Sequence, residues 1–348
     1  MRLLLLIGFL WRPGERWLFG HYPDLKLSVL DFKRPSSGVR LSFEVLKLTF
    51  KALPIYGKYD IVLSWGLANM LPLALANSFL HRHSPKFVAI DVSANRFGSR
   101  WSSIFRTALR SINAIICFTT AQKSWWMRSV GYPRATFIHF AREVGVDQVG
   151  GTHTCQPEDD YIFSGGFTAR DYRTLLRAAA ELDERVLLVV GRDPVTGKTG
   201  LEQVVLSKNI EVRVNIPHSQ FLELMSKAKL VALIMLDVPY AAGQMVLLDA
   251  MHMGKPIIVT RTSGTIDYVE DGKTALLTEP GNVTELKEKI LLLSKNSQLR
   301  RTLGRNAKAK WRRDFTFEAM QQKVYGVIAS VLSEPSVSIE GSKVHPHD

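Results

Sequence analysis

Cysteine is nearly missing from this chain: Cys117 and Cys155 are the two in 348 residues, and neither has a C-x-x-C partner. A disulfide framework and a cysteine zinc site are thereby excluded, and a reducing compartment fits. Carboxylates are scarce in one half only. Residues 1–150 hold 20 Lys/Arg against 8 Asp/Glu, whereas residues 151–348 hold 25 against 24. The formal charge of +13 therefore sits almost wholly in the first half. That asymmetry predicts an anionic partner for it: phospholipid, a phosphorylated acceptor or nucleic acid. No RNA or DNA motif accompanies the charge, so nucleic acid is not expected. No D-x-D pair occurs, and "HRH" (His81–His83) lacks a third ligand, so no metal is expected.

Long uninterrupted apolar runs are also missing. "MRLLLLIGFLWRPGERW" ends without a small-residue cleavage site, so it reads as a first buried strand rather than a leader. "IVLSWGLANMLPLALANSFL" (Ile61–Leu80) has the length of a membrane span, but Ser64, Asn69, Pro72 and Asn77 divide it into strand, turn and helix. No internal repeat or low-complexity tract is present.

What remains is apolar enough to fold, at 46% hydrophobic, and long enough for two domains. Short apolar runs at Leu3–Phe9, Ile61–Ser64, Phe87–Ile90, Ala114–Cys117 and Thr136–Ile138 alternate with helical stretches such as Ser103–Ile112 and Ala121–Ser129. "QVGGTHTCQPEDD" (148–160) has no periodicity and reads as a linker. The alternation then restarts, with strands at Tyr161–Ser164, Val186–Val190, Glu211–Val214, Val231–Met235, Pro256–Val259 and Ala275–Leu277. Helices are expected at Arg173–Ala180, Ser219–Ser226, Met245–Met253 and Val283–Leu293. The fold class is thus α/β: two Rossmann-like, doubly wound domains facing a cleft. Residues 1–147 and 161–310 form them, a helix is expected over 311–332, and 333–348 reads as a disordered tail.

Three segments carry candidate chemistry. In "YIFSGGFTARDYRTLLRAAAEL" a strand ends at Gly165-Gly166, and a helix begins near Asp171 with Arg170 just before it. Glycines admit a phosphate close to the backbone, the helix start offers free N–H groups, and an arginine reaches phosphate oxygens in pairs. The same residues also suit a plain strand-to-helix turn, with Asp171 as cap and Arg170 solvated. In "AAGQMVLLDAMHMGKPIIVT" small residues, Ala242, Gly243 and Gln244, open a second helix, and Asp249 sits on it, eight residues after Ala241. "RTSGTIDYVEDGKTALLTEPGN" places Ser263-Gly264 before a third helix start, then a tight Asp271-Gly272 turn.

Taken in order over residues 161–325, "GGFTARDYRTLLRAA", "LLDAMHMGKPIIV", "SGTIDYVEDGKTALLTEPGN" and "FTFEAM" resemble the C-terminal domain of the retaining GT-B glycosyltransferases of the family 4 type. The first half matches more loosely, through "REVGVD" before the linker. The resemblance implies transfer of a sugar from a nucleotide-diphosphate sugar, with retention and without metal or other cofactor. Arg170 would neutralise the pyrophosphate, Asp249 would bind the ribose, Gly165 and Gly166 would line the phosphate loop, and Ser263 and Gly264 would lie near the sugar-phosphate end. Two departures stand out. Ala241 replaces the first of the family's paired carboxylates, so Gln244 or the backbone amides of Ala242–Gly243 would take over its sugar contact. Gly166 replaces a loop arginine, for which Arg192 or Lys255 would compensate.

In the first half "AIDVSANRF" ends a strand at the cleft, where Asp91 and Ser93 are catalytic candidates; a turn-capping role suits Asp91 equally. Arg106 and Arg110 beside Trp101, Phe105 and Leu109, with Trp125, Trp126 and Arg128 nearby, suit an anionic membrane interface or an ordinary core face with a basic rim. The expected partners are a nucleotide sugar, a lipid-linked or saccharide acceptor and an anionic membrane surface. The expected place is the cytoplasm, on the inner face of the membrane, in glycolipid or cell-envelope polysaccharide synthesis. A non-catalytic nucleotide-sugar-binding protein and a sugar-nucleotide epimerase are the alternatives.

Overall fold

The computed structural model describes residues 1–7, 25–31, 38–80, 85–91, 103–141, 159–192, 197–202 and 204–334. His81–His83, Ser93, Trp101, residues 142–158 and the tail from 335 onward lie outside them. The first lobe runs β1 (Arg2–Ile7), β2 (Lys26–Asp31), α1 (Gly38–Ala52), β3 (Ile61–Trp65), α2 (Leu67–Leu80), β4 (Lys86–Asp91), α3 (Ser103–Arg110), β5 (Ile112–Cys117), α4 (Thr120–Arg128) and β6 (Ala135–Phe137). Its six strands are all parallel, in the order β2-β1-β3-β4-β5-β6. The second lobe runs β7 (Asp159–Gly166), α5 (Tyr172–Ala180), β8 (Val186–Val190), β9 (Ile210–Val214), α6 (His218–Lys227), β10 (Ala228–Leu233), α7 (Gln244–His252), β11 (Ile257–Thr260), β12 (Leu276–Thr278), α8 (Val283–Lys295) and α9 (Ser297–Asp314). Its sheet is again parallel, in the order β12-β11-β10-β7-β8-β9. The doubly wound α/β architecture expected of both halves is therefore present.

The central strands are buried on both faces, which is why "LLLL", "IVLSW" and "VLLVV" read as unbroken apolar runs. Each sheet reverses direction beside its first strand, between β1 and β3 and between β7 and β10. In open α/β sheets ligands collect beyond the strand ends at that point.

Four details differ from the sequence reading. The apolar stretch 61–80 breaks at Gly66, whose φ of +93° favours glycine, and Pro72 lies within α2 rather than at the break. Asp159 and Asp160, assigned to the linker, are the first residues of β7. The helix expected over 311–332 is two helices. Trp311 ends in α9, Phe315 is buried, and Thr316 caps α10 (Phe317–Ser333) by accepting from the Ala319 amide at 3.2 Å. Residues 262–268 form a hydrogen-bonded turn, not a third helix start.

α10 leaves the second lobe and lies on β4 and β5 of the first, burying Met320, Val324, Ile328 and Val331 there. Met320 Sδ accepts from the Ala141 amide at 3.3 Å. A second tie comes from the turn after β11. Asp267 accepts from the Thr120 amide and hydroxyl, both at 2.8 Å. The fully buried Tyr268 hydroxyl donates to the Phe118 carbonyl at 2.8 Å and accepts from the Phe140 amide at 2.9 Å. His139 Nε2 meets the Asp267 carbonyl at 3.0 Å, and its ring packs on Tyr268 and Phe315. Burial holds the His139 imidazole below its ordinary pKa, so Nε2 carries the proton it donates and the ring is neutral near pH 7. Among the described residues no helix is long and apolar enough to cross a membrane.

Candidate functional site

Three loops meet at the carboxyl ends of β7, β10 and β11, which are neighbours in the second sheet. The first follows β7. Gly166 has φ +114°, Ala169 has φ +53°, and Asp171 caps α5 by accepting from the Thr174 amide at 3.0 Å. The loop is stitched to the segment after β10: the Asp171 amide donates to the Ile234 carbonyl at 3.0 Å, and the Leu236 amide to the Ala169 carbonyl at 2.9 Å. Asp171 thus caps as the plain-turn reading expected, but Arg170 is not solvated.

The Arg170 guanidinium folds back over its own loop. Nε donates to the Gly165 carbonyl at 2.8 Å, and Nη1 to the Thr168 carbonyl at 2.9 Å and to Met235 Sδ at 2.9 Å. A Cβ on Gly166 would stand 2.4 Å from Nη2, so glycine is what leaves the guanidinium its place. Among the described residues no carboxylate pairs with this cation; its partners are carbonyls and a sulfur. Desolvation lowers its pKa from the ordinary arginine value, yet arginine stays charged. A half-buried cation held by neutral acceptors is a standing demand for an anion.

The second loop ends at Gly243, the N-cap of α7, in left-handed conformation with φ +92°. It offers no side chain, so the first N–H groups of α7 lack a side-chain cap. Gly243 rests on the same Met235: a Cβ there would lie 3.1 Å from Met235 Cε. Met235 therefore floors both Arg170 and the start of α7. Its own amide donates to Thr260 Oγ1 at 2.9 Å, which draws in β11. Sequence reading passed over Met235, because it stood as the last residue of an apolar strand; β10 in fact ends at Leu233.

The third loop follows β11. Gln244 Nε2 donates to the Gly264 carbonyl at 2.6 Å, and a Cβ on Gly264 would stand 2.7 Å from the Ala242 carbonyl. Ser263 Oγ donates to the Val238 carbonyl at 3.3 Å. Ala242-Gly243-Gln244 and Ser263-Gly264 are therefore one packed unit. Thr265 Oγ1 ties its base to the Thr260 carbonyl at 2.6 Å.

Of the residues singled out in the sequence, Gly165, Gly166, Arg170, Ala242, Gly243, Gln244, Ser263 and Gly264 come together here. The Gln244 amide nitrogen is committed to Gly264, which removes it as a free sugar donor. Asp249 is buried in α7, 1% exposed, so its carboxylate does not stand open at the surface. Asp91 closes β4 opposite Cys117, at the carboxyl edge of the first sheet; its backbone alone is described. Lys255 does not compensate for the missing loop arginine: its Nζ donates at 2.7 Å to the carbonyl of Ala228, the first residue of β10, at the opposite edge of the sheet. Arg192 follows β8 at the correct edge, and its Nη1 donates to the Gly197 carbonyl at 3.1 Å.

This arrangement is a candidate anion site at the switch point of a two-lobe α/β protein. Residues 157–310 match the family model described as Glycosyl transferases group 1. The second lobe is thus similar to that family over its matched residues, and the chain as a whole has the GT-B fold. An uncharacterized glycosyltransferase of Methanocaldococcus jannaschii is 31% identical over 165 residues, 46% of this chain and 46% of the relative. The N-acetyl-alpha-D-glucosaminyl L-malate synthase of Bacillus anthracis is 29% identical over 160 residues, 45% of this chain and 40% of the relative. The matched stretch spans less than half the length of each. Among solved structures, Anabaena HepE in complex with UDP-glucose superposes with TM-score 0.69 at 18% identity, over 95% of this chain and 100% of that one. Sucrose-phosphate synthase of Thermosynechococcus elongatus gives 0.71 at 14% identity, over 96% and 100%.

Proposed function

We propose that the protein is a glycosyltransferase that moves a sugar from a nucleotide-diphosphate sugar to an acceptor with retention of anomeric configuration. The observation that carries this reading is Arg170, a desolvated guanidinium with carbonyl and sulfur partners, set beside the uncapped start of α7 on a shared Met235 floor. A diphosphate placed there meets a cation and backbone N–H groups together, and both stabilise the charge that develops on the leaving nucleoside diphosphate. The chemistry needs no metal in this scheme. UDP and UDP-glucose, bound by the Anabaena neighbour, are the first donors to try. Asp249 serves the ribose in this reading, which requires a local shift of α7 to bring its buried carboxyl to the ligand. Asp91, at the carboxyl end of β4, is the catalytic candidate from the first lobe in this reading. A lipid-linked or saccharide acceptor, at a cytoplasmic membrane face in glycolipid or cell-envelope polysaccharide synthesis, suits the basic first half.

The test is a thermal-shift panel of UDP-, GDP- and other nucleotide sugars, followed by turnover on the donor that binds. A ligand at 100 times its Kd adds about 2.7 kcal/mol of stability. Arg170→Ala is expected to lower turnover more than tenfold with the fold intact; equal rates remove Arg170 from the site. One observation favours a second reading, a nucleotide-sugar-binding protein without turnover: Ala241 stands where the family pairs a carboxylate with Asp249. Donor binding with neither transfer nor hydrolysis selects it.

A further inference from the structure

On α3 and α4 the described residues follow the reading of a core face with a basic rim. Phe105 and Leu109 are buried, and Trp126 is wholly inside the core with Phe105 and Tyr132 around it. Among the described residues of the first lobe, the most exposed large apolar side chains, Phe43, Phe50 and Phe79, lie on α1 and α2. In α1 the exposed positions are Phe43, Leu46, Lys47, Phe50 and Lys51, and the inward ones are Val45, Leu48, Thr49 and Ala52. Spacings of three and four place each set on one face of the helix. The larger apolar groups therefore point away from the core: Phe43 is 63% exposed, Phe50 70% and, on α2, Phe79 70%.

These residues form one side of the molecule. α1 packs on α2 and α2 on α3, and all three cross between parallel strands in the same direction, so they share a face of the first sheet. Because both cross between parallel strands, the C-terminal ends of α1 and α2, which carry Phe50, Lys51, Phe79 and Leu80, lie toward one edge of the sheet. α3 adds the exposed Ile104, Arg106 and Arg110. Within the helices α1, α2, α3 and α4 there is a single carboxylate, Glu44, which is half-buried and paired with Lys47 at 2.7 Å; Asp60 and Asp91 fall between them, and Asp60 is paired with Arg2.

We infer that the outer face of α1 and α2 docks on the surface of an anionic lipid bilayer, its phenylalanines entering the headgroup boundary and Lys47, Lys51, Arg106 and Arg110 meeting lipid phosphates. Apolar area of this kind on a soluble surface marks an interaction site, and the near absence of carboxylate selects an anionic, part-apolar partner. A second copy is disfavoured, because a two-fold contact would set this basic face against itself. The inference does not depend on the donor reading, since it concerns a different lobe face.

The experiment is co-sedimentation of the full chain with vesicles of phosphatidylcholine alone or mixed with phosphatidylglycerol, without any nucleotide. Binding is expected to be at least tenfold stronger on the anionic vesicles and to weaken at high salt. Phe43→Ser with Phe50→Ser, and separately Lys47→Glu with Lys51→Glu, are each expected to lower it at least tenfold. Circular dichroism and any nucleotide-induced thermal shift should match the parent chain, which separates lost docking from lost folding. Undiminished binding by the serine variant overturns the proposal. So does equal binding to neutral vesicles, or a lipid-free dimer in sedimentation velocity that the serine variant disperses.

Discussion

Gly166→Ala tests how the loop after β7 is built. The new Cβ would sit 2.4 Å from Arg170 Nη2, 2.8 Å from Nε and 2.9 Å from Cζ. Ordinary contact begins about 1 Å further out, so the guanidinium has to leave. Its hydrogen bonds to the Gly165 and Thr168 carbonyls, 2.8 and 2.9 Å long, go with it. Hydrogen bonds to charged groups contribute about 1.5–3 kcal/mol each, less what water returns to the displaced cation. The backbone adds its own cost, because φ +114° suits glycine, and an alanine held there costs about 1–3 kcal/mol. The single substitution is therefore expected to destabilise the second lobe by roughly 3–5 kcal/mol. In an Arg170→Ala background the clash has no object and only the backbone cost remains. A double-mutant cycle read by urea unfolding should give a coupling of about 1–3 kcal/mol between the two positions. Additivity within about 0.5 kcal/mol would refute the claim that glycine is needed there to seat the arginine.

Three further outcomes follow from the same geometry. Tyr268→Phe leaves the Phe118 carbonyl and Phe140 amide without their shared partner, and should cost about 2–4 kcal/mol, read as a lowered midpoint in urea. His139 has a folded pKa below its unfolded value of about 6.5, so the unfolded chain binds the extra proton first as pH falls. Stability is fully present above about pH 6.5 and is lost progressively below it until the folded ring also protonates; His139→Gln should flatten this limb in melting temperatures taken from pH 8 to 5. Lys255→Met should lower stability through the Ala228 carbonyl it leaves unmet, while nucleotide affinity by calorimetry stays unchanged; a tenfold loss of affinity would return Lys255 to the site.

The alternation of apolar runs made both sheets legible, because parallel strands buried on two faces leave a continuous apolar signature. β2 escaped notice since "KLSVLD" is half-exposed at a sheet edge and its pattern is weak. α9 escaped because "SQLRRTLGRNAKAKWRRD" is polar nearly all round; it is held by close packing, with Gly304 against the Gly254 carbonyl, where a Cβ would stand 2.0 Å away. The glycines and Arg170 of the site could be read from spacing, but which cation serves it could not. Lys255 is a few residues along the chain from Asp249, yet one strand length away from the site, and that separation is set by the direction of β10 and β11. The outward aromatics of α1 were hidden for a related reason: a helix with large apolar groups on both faces does not announce which face is covered.

The turn from Thr262 to Tyr268 belongs to two places at once. Its first residues pack on the opening of α7, and its last hold Phe118 and Phe140 of the other lobe. Any molecule whose binding shifts Gly264 therefore acts on the joint between the lobes, and thermodynamic reciprocity requires that whatever draws the lobes together alter that molecule's affinity by the same factor. Under the proposed function, an acceptor at the first lobe and a donor at the second would be connected through these seven residues.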